Sequence, residues 1–282
     1  AADMSGANST LNELIGLAQT LAAGDALATA DTRKVLNDAV TAANAAVSGT
    51  LTPETYQSIT EALNKAMADF KEAIAAAAAL ETKATNHYSK LYSSGEGSYE
   101  QYAGTEGYDE LADLTEGILI DYVDGLVDFE SMAQIEQFST DIDRAYSKMV
   151  TAYFDGTGAS LEDAMDATVF IVNPSFSVLE NQYGDIVEVS SADGWTTTGG
   201  MATTALNYEI FDDSCEIRQT LYNMPAGYYR LIWNGFYRAG DYQEAAEKRV
   251  ENGFTEPQNA EVFVDNGENH WSRKMHSIFD DM

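Results

Sequence analysis

Three tryptophans, Trp195, Trp233 and Trp271, are the side chains best suited to recognition chemistry in this sequence. An indole offers a broad apolar area on which the apolar face of a sugar can stack. Trp271 lies in the polar run Asn269-His270-Trp271-Ser272-Arg273, where a ligand could reach it. Trp195 follows Gly194 at the end of a turn-rich stretch and reads either as core or as part of such a platform. Trp233 falls inside an apolar strand pattern and reads as core. The candidate ligand-binding residues are therefore Trp271, Trp195, Arg273 and His270. Arg218 and Arg238 could donate to hydroxyls, but on so acidic a chain they read as ion-pair partners.

Other chemistries find little support. The histidines are His87, His270 and His276, none at the H-x-x-x-H spacing of a zinc site. Asp265-Asn266-Gly267-Glu268 reads as a hairpin turn rather than a calcium loop, and no D-x-[DN]-x-[DN]-G pattern occurs. Cys215 is the single cysteine, which excludes an intrachain disulfide; in an expected strand it reads as a small buried hydrophobe. There is no G-x-S-x-G, P-loop or G-x-G-x-x-G, and Gly156-Thr157-Gly158 lies in a linker rather than between a strand and a helix. A glycosidase carboxylate pair cannot be picked out of 46 Asp and Glu. The expectation is a non-catalytic protein.

Charge narrows the partners. The 282 residues include 15 Lys and Arg against 46 acids, a formal net charge of −31. Such a chain repels phosphate backbones and anionic lipid, so nucleic acid and membrane surfaces are not expected partners. From Leu91 to Asp143 there are fourteen acids and no Lys or Arg. That window reads as a solvated face, with a divalent-cation surface as the sharper alternative. The longest apolar stretch, Ala73 to Leu80, is too short to span a bilayer. The chain reads as soluble as given, either a mature form or an excised fragment.

Two kinds of element must position these residues. Residues 10–83 carry three amphipathic helical stripes: Leu11 to Ala23, about Thr32 to Ser48, and a third entered through Thr52-Pro53-Glu54. Thr52 suits an N-cap, Pro53 the first helical position, and Glu54 the helix dipole. Shifting the numbering by 79 superimposes eleven apolar positions, among them Leu63 on Ile142, Met67 on Tyr146 and Phe70 on Met149, which reads as a duplicated helical unit. Residues 84–105 read as the end of a long helix followed by a loop. From Thr168 the period changes to strands: Thr168 to Val172, Asn207 to Phe211, Cys215 to Tyr222, Tyr228 to Arg238 and Ala260 to Val264. Pro225-Ala226-Gly227 is expected to join the central pair as a hairpin, and residues 240–258 to hold a helical excursion. The expected domains are 1–83, 84–160 and 166–282: helical bundles, then an antiparallel β-sandwich or jelly roll.

The Leu11–Ala23 stripe, the run Leu36-Asn37-Asp38-Ala39-Val40-Thr41-Ala42-Ala43, and Thr52-Pro53-Glu54 leading to Ala62-Leu63 resemble the three-helix FIVAR repeats of bacterial surface proteins and glycan-active enzymes. That resemblance implies a spacer or partner-binding role. The order Ile171 to Phe176, Gly194-Trp195, Gln219 to Leu221, Pro225 to Leu231 and Gly235 to Arg238 is similar to a galactose-binding-like β-sandwich of Bacteroidota-type secreted and surface proteins. It implies carbohydrate binding at the cell surface or outside the cell, and leaves room for one structural calcium with no other cofactor. Such a sandwich normally continues beyond a point like Met282, so an incomplete sandwich, or one completed by another chain, is expected. A structural or assembly module of an adhesin or filament is the alternative.

Overall fold

In a computed structural model of the chain, the described residues are 6–95, 97–154, 160, 162–182, 185–199, 201–204, 207–210, 214–238, 241–251 and 260–277. They form a mixed α and β protein with six α-helices and small two-stranded sheets. The helices are α1 (Ala7–Ala22), α2 (Ala30–Ser48), α3 (Pro53–Leu91), α4 (Glu106–Ile118), α5 (Met132–Tyr153) and α6 (Tyr242–Glu251). The strands are β1 (Ser177–Gln182), β2 (Asp185–Ser190), β3 (Thr196–Thr198), β4 (Met201–Thr204), β5 (Asn207–Ile210), β6 (Glu216–Arg218), β7 (Glu261–Asp265) and β8 (His270–Lys274). They pair as β1-β2, β3-β6, β4-β5 and β7-β8. None of the described helices is long and apolar enough to cross a membrane. The chain divides into two compact units: Ala1–Thr198 with Thr203–Glu209 and Glu216–Pro225, and Gly199–Ala202 with Ile210–Cys215 and Ala226–Met282.

In the first unit, local capping sets the helix starts. The Thr29, Thr52 and Ser131 side chains accept the backbone N–H groups of Thr32, Thr55 and Gln134, satisfying donors that an α-helix leaves open at its start. Ser131 stands 79 residues after Thr52, so the duplicated register extends to the cap. Four stripe positions are buried in both copies: Leu63 and Ile142, Ala66 and Ala145, Met67 and Tyr146, Phe70 and Met149. The 39 residues of α3 run roughly 58 Å. Its first half closes a core with α1 and α2 through Leu63, Met67 and Phe70. Its second half enters a separate core with α4 and α5 through Ala77, Leu80, Ala84 and Leu91. The first helix of the second bundle is thus the end of α3.

A polar staple joins the loops of the two bundles. The Asp128 carboxylate accepts from Arg33 Nε, from Arg33 Nη2 at 2.9 Å and from the Ala28 N–H at 3.0 Å. Arg33 also donates to the carbonyls of Ala22 (2.6 Å) and Ala26 (3.0 Å). Burial would raise the Asp128 pKa, but the Arg33 and Ala28 hydrogen bonds outweigh it and hold the carboxyl below its ordinary range. Beside it, Phe129 is fully buried and exchanges backbone hydrogen bonds with Ala28 and Ala30. Asp128→Ala strands a half-buried guanidinium and an N–H. Discounted for partial exposure, it should cost about 1–2 kcal/mol, read from the urea midpoint of helical circular dichroism.

Two expected strands are not strands. Thr168–Phe170 is a 3₁₀ turn, opened by Asp166 accepting the Thr168 N–H at 2.8 Å. Phe170 is buried against Phe154, ring centroids 5.4 Å apart, and Tyr146 donates to the Val169 carbonyl at 2.8 Å. The Gln219 amide satisfies both backbone groups of Val172, at 2.8 and 2.9 Å, in place of a ladder. The segment therefore serves the helical core, which its β-branched content could not indicate. The expected hairpin through Pro225-Ala226-Gly227 is also not formed: β6 pairs with β3, and the division between the units falls at Pro225. Among the described residues 228–238, strand pairing is limited to the Tyr237–Ser277 bridge. Trp233, expected in a core, is 39% exposed.

Candidate functional site

The candidate residues separate into three places. Trp271 and Arg273 lie on β8, whose register against β7 sets Val264 opposite Trp271 and Val262 opposite Arg273. Alternation puts these four on one face of the hairpin. Trp271 is 55% exposed. The face thus presents an open indole beside a guanidinium over two valines, which suits a flat, hydroxyl-bearing ligand with one apolar side. Val262 and Val264 do not stand out in the sequence, although period-two alternation of β7 against β8 identifies them.

His270 points to the opposite face. Its ring stacks on Phe263 at 5.4 Å and its Nδ1 lies 3.4 Å from the Asp265 carboxylate. The connecting turn is self-contained: Asp265 Oδ1 accepts the Gly267 N–H at 2.6 Å, and Asn266 Oδ1 accepts from Glu268 and Asn269. The turn N–H of Gly267 and the His270 ring together hold the Asp265 carboxyl below its ordinary range. Asp265-Asn266-Gly267-Glu268 is accordingly a hairpin turn. Among the described residues no group of three or more His, Cys, Asp or Glu is placed to hold a metal ion.

Trp195 lies in the first unit and is fixed rather than open. Its indole N–H donates to the Asn173 carbonyl at 3.0 Å and its ring lies 5.0 Å from Phe176. The preceding Gly194 has φ +82, and any Cβ there would run into the Val172 side chain. Asn173 braces the same turn, its amide donating to the carbonyls of Ser191 and Asp193. Of the two alternatives for Trp195, this geometry is the packed one. Arg218 lies 3.7 Å from Glu216 at an exposed position, a weak ion pair.

One buried polar cluster escaped the sequence reading. His87, on α3, is enclosed between Tyr99 and Tyr146, with ring centroids 5.8 and 5.3 Å away, and its Nδ1 shares a 3.0 Å hydrogen bond with the Tyr99 hydroxyl. Desolvation, with Lys90 and Lys83 adding positive potential, lowers the imidazole pKa to about 3. All three rings are sealed from solvent, so the cluster is a structural knot without substrate access. Its signal was a lone histidine on a helical stripe, which periodicity treats as any other position.

In comparison with known proteins, no family model, no curated protein and no solved structure matches this chain.

Proposed function

We propose that this is a non-catalytic protein of the bacterial cell surface or exterior that contacts glycans through the Trp271 face of the β7-β8 hairpin, with the helical bundles as its spacer. The observation carrying this reading is the exposed indole of Trp271 beside Arg273 on one strand face. Stacking of a sugar on an indole, with a guanidinium donating to ring hydroxyls, is the chemistry those groups offer together. The bundle pair sharing α3 is consistent with FIVAR-like modules as spacers. A galactose-binding-like sandwich is part of the same proposal. Arg273 and Trp271 form the contact, and His270 braces the adjoining turn through Asp265.

A second reading, a structural or assembly module without a sugar site, draws on a different observation. Tyr228, Ile232 and Phe236 are all exposed in the second unit, Tyr228 at 98%. Large open apolar side chains commonly mark a protein interface. One pair of measurements separates the readings. Isothermal calorimetry against a panel of common polysaccharides should show binding that Trp271→Ala weakens at least about tenfold, a loss of roughly 1.4 kcal/mol. No binding to any glycan, with concentration-dependent association in sedimentation velocity that Ile232→Ser abolishes, would establish the assembly reading instead.

A further inference from the structure

We infer that the helical unit carries a docking groove for a basic amphipathic helix of a partner protein, lying between α3 and the π-helical turn Leu119–Asp124 that extends α4. This gives the helical part a recognition role beyond that of a spacer. One wall is a stripe on α3, where Glu81, Thr85 and Tyr88 line the cleft at spacings of four and three residues. Such spacing keeps them on one helix face for two turns, about 11 Å, and Tyr92 caps the helix end beyond them. The Tyr88 and Tyr92 rings lie 4.6 Å apart, and Tyr92 is 60% exposed. The opposite wall is the π-helical turn, where Leu119, Ile120 and Val123 line the cleft. Leu119 leans on the second core, whereas Ile120 stays 53% exposed. The cleft between the walls measures about 330 Å³.

The identity of the occupant follows from the walls. Both are helices whose backbone groups are internally bonded, so an added strand would find no ladder to join. A further helix can lay a ridge of side chains into the groove, anchored at i, i+3/i+4 and i+7. The apolar side chains among the lining, Tyr88, Leu119, Ile120 and Val123, call for apolar anchors. The rim fixes the charge: Glu81, Glu116 and Asp124 border the cleft, no Lys or Arg lines it, and none of the three forms an ion pair among the described residues. Several acids elsewhere on the helices are paired, as in Lys34–Asp38, Lys65–Asp69 and the Lys148 bridges to Glu106 and Glu110. The π-helix matters because its wider turn presents side chains out of α-helical register, and such turns recur at functional sites.

The test uses the full chain and a fluorescein-labelled 14-residue synthetic peptide with Leu at i, i+4, i+7 and i+11 and Lys at the flanking positions. A scrambled peptide of the same composition serves as its control. Fluorescence anisotropy at near-physiological salt should give saturable binding, with the scrambled peptide at least about tenfold weaker. Ile120→Ser should weaken binding by about tenfold, and so should the combined Glu81→Gln, Glu116→Gln, Asp124→Asn variant. Neutralising an equal number of acids elsewhere, with Glu13→Gln, Glu72→Gln and Glu136→Gln, should change it by less than about twofold. The proposal is overturned by the absence of saturable binding, by equal binding of the scrambled peptide, or by equal losses in the two charge-neutralised variants, since affinity would then follow total charge alone. None of these outcomes depends on glycan binding at the hairpin.

Discussion

Gly107→Ala is expected to cost the helical unit about 2–4 kcal/mol, whereas Gly117→Ala on the same helix should stabilise it by up to about 1 kcal/mol. Gly107 lies in the first turn of α4, buried where α4 crosses α5. A Cβ at that position would meet the Met149 Cα at 2.6 Å and the Ala145 carbonyl oxygen at 2.7 Å, with the Met149 nitrogen closer still. These are backbone atoms of a helix and cannot swing aside as a flexible side chain would. Relief requires α4 to move away from α5, opening the core around Leu111, Ile142 and Met149. It would also stretch the flanking bridges from Lys148 to Glu106 and Glu110, at 2.8 and 3.0 Å. At Gly117 an added Cβ meets nothing within 4 Å, so only the usual helical gain of alanine over glycine remains. Urea unfolding of the two variants followed at 222 nm measures both effects, and a Gly107→Ala midpoint equal to that of the wild type would refute the close-approach argument.

The contrast between these glycines shows what the sequence could carry. Both stand in the same helical pattern and look alike there; only the crossing of α4 over α5 tells them apart. Where structure follows from near neighbours, the sequence was legible. Thr52-Pro53-Glu54 opens α3 as a cap should, and the shift of 79 carries that start onto Ser131 and Met132. The hairpin at Asp265–Gly267 and the helical excursion at Tyr242–Glu251 are local in the same sense. Where the outcome depends on a remote partner, it was not legible. Arg33 meets Asp128 across 95 residues, and nothing in either neighbourhood marks the pair. The Ala-rich run from Ala73 shows that α3 can continue but not that it changes partners on the way. Thr168–Val172 has strand composition, yet Phe170 finds a helical core and Gln219 takes up the backbone of Val172. The candidate site divides along the same line. The openness of Trp271 is a property of its own turn and strand, whereas the fixing of Trp195 required Phe176 and Asn173 to come together around it.

The second large effect is acid lability governed by His87. The folded-state pKa of about 3 lies below the ordinary value near 6.5, so between those limits the unfolded chain binds a proton that the folded chain refuses. Stability from this residue is therefore fully present above pH 6.5 and is lost as the pH falls toward 3, at about 1.4 kcal/mol per pH unit, or about 2 kcal/mol by pH 5. The surroundings explain why no relief is at hand. The groups facing the imidazole are the Tyr99 and Tyr146 phenols, both pushed up by burial and therefore neutral, and the Tyr146 hydroxyl is committed to the Val169 carbonyl. Lys90 and Lys83, on the same helix, oppose a further positive charge. Carboxylates that meet this stretch of α3 are engaged with other residues: Asp143 pairs with Lys83 at 2.6 Å and Asp193 accepts from Asn86 at 3.0 Å. Asp143, raised by its own burial, works in the opposite sense, and a comparison with a His87 variant at each pH cancels its contribution. His87→Gln keeps an acceptor for the Tyr99 hydroxyl and removes the titration. Between pH 7 and pH 5 the wild type should lose about 2 kcal/mol more unfolding free energy than this variant. Parallel profiles for the two proteins would show that the acid sensitivity lies elsewhere. Should the variant fail to fold, the imidazole resonance of His87 in the wild type provides the check: it should show no titration above pH 5.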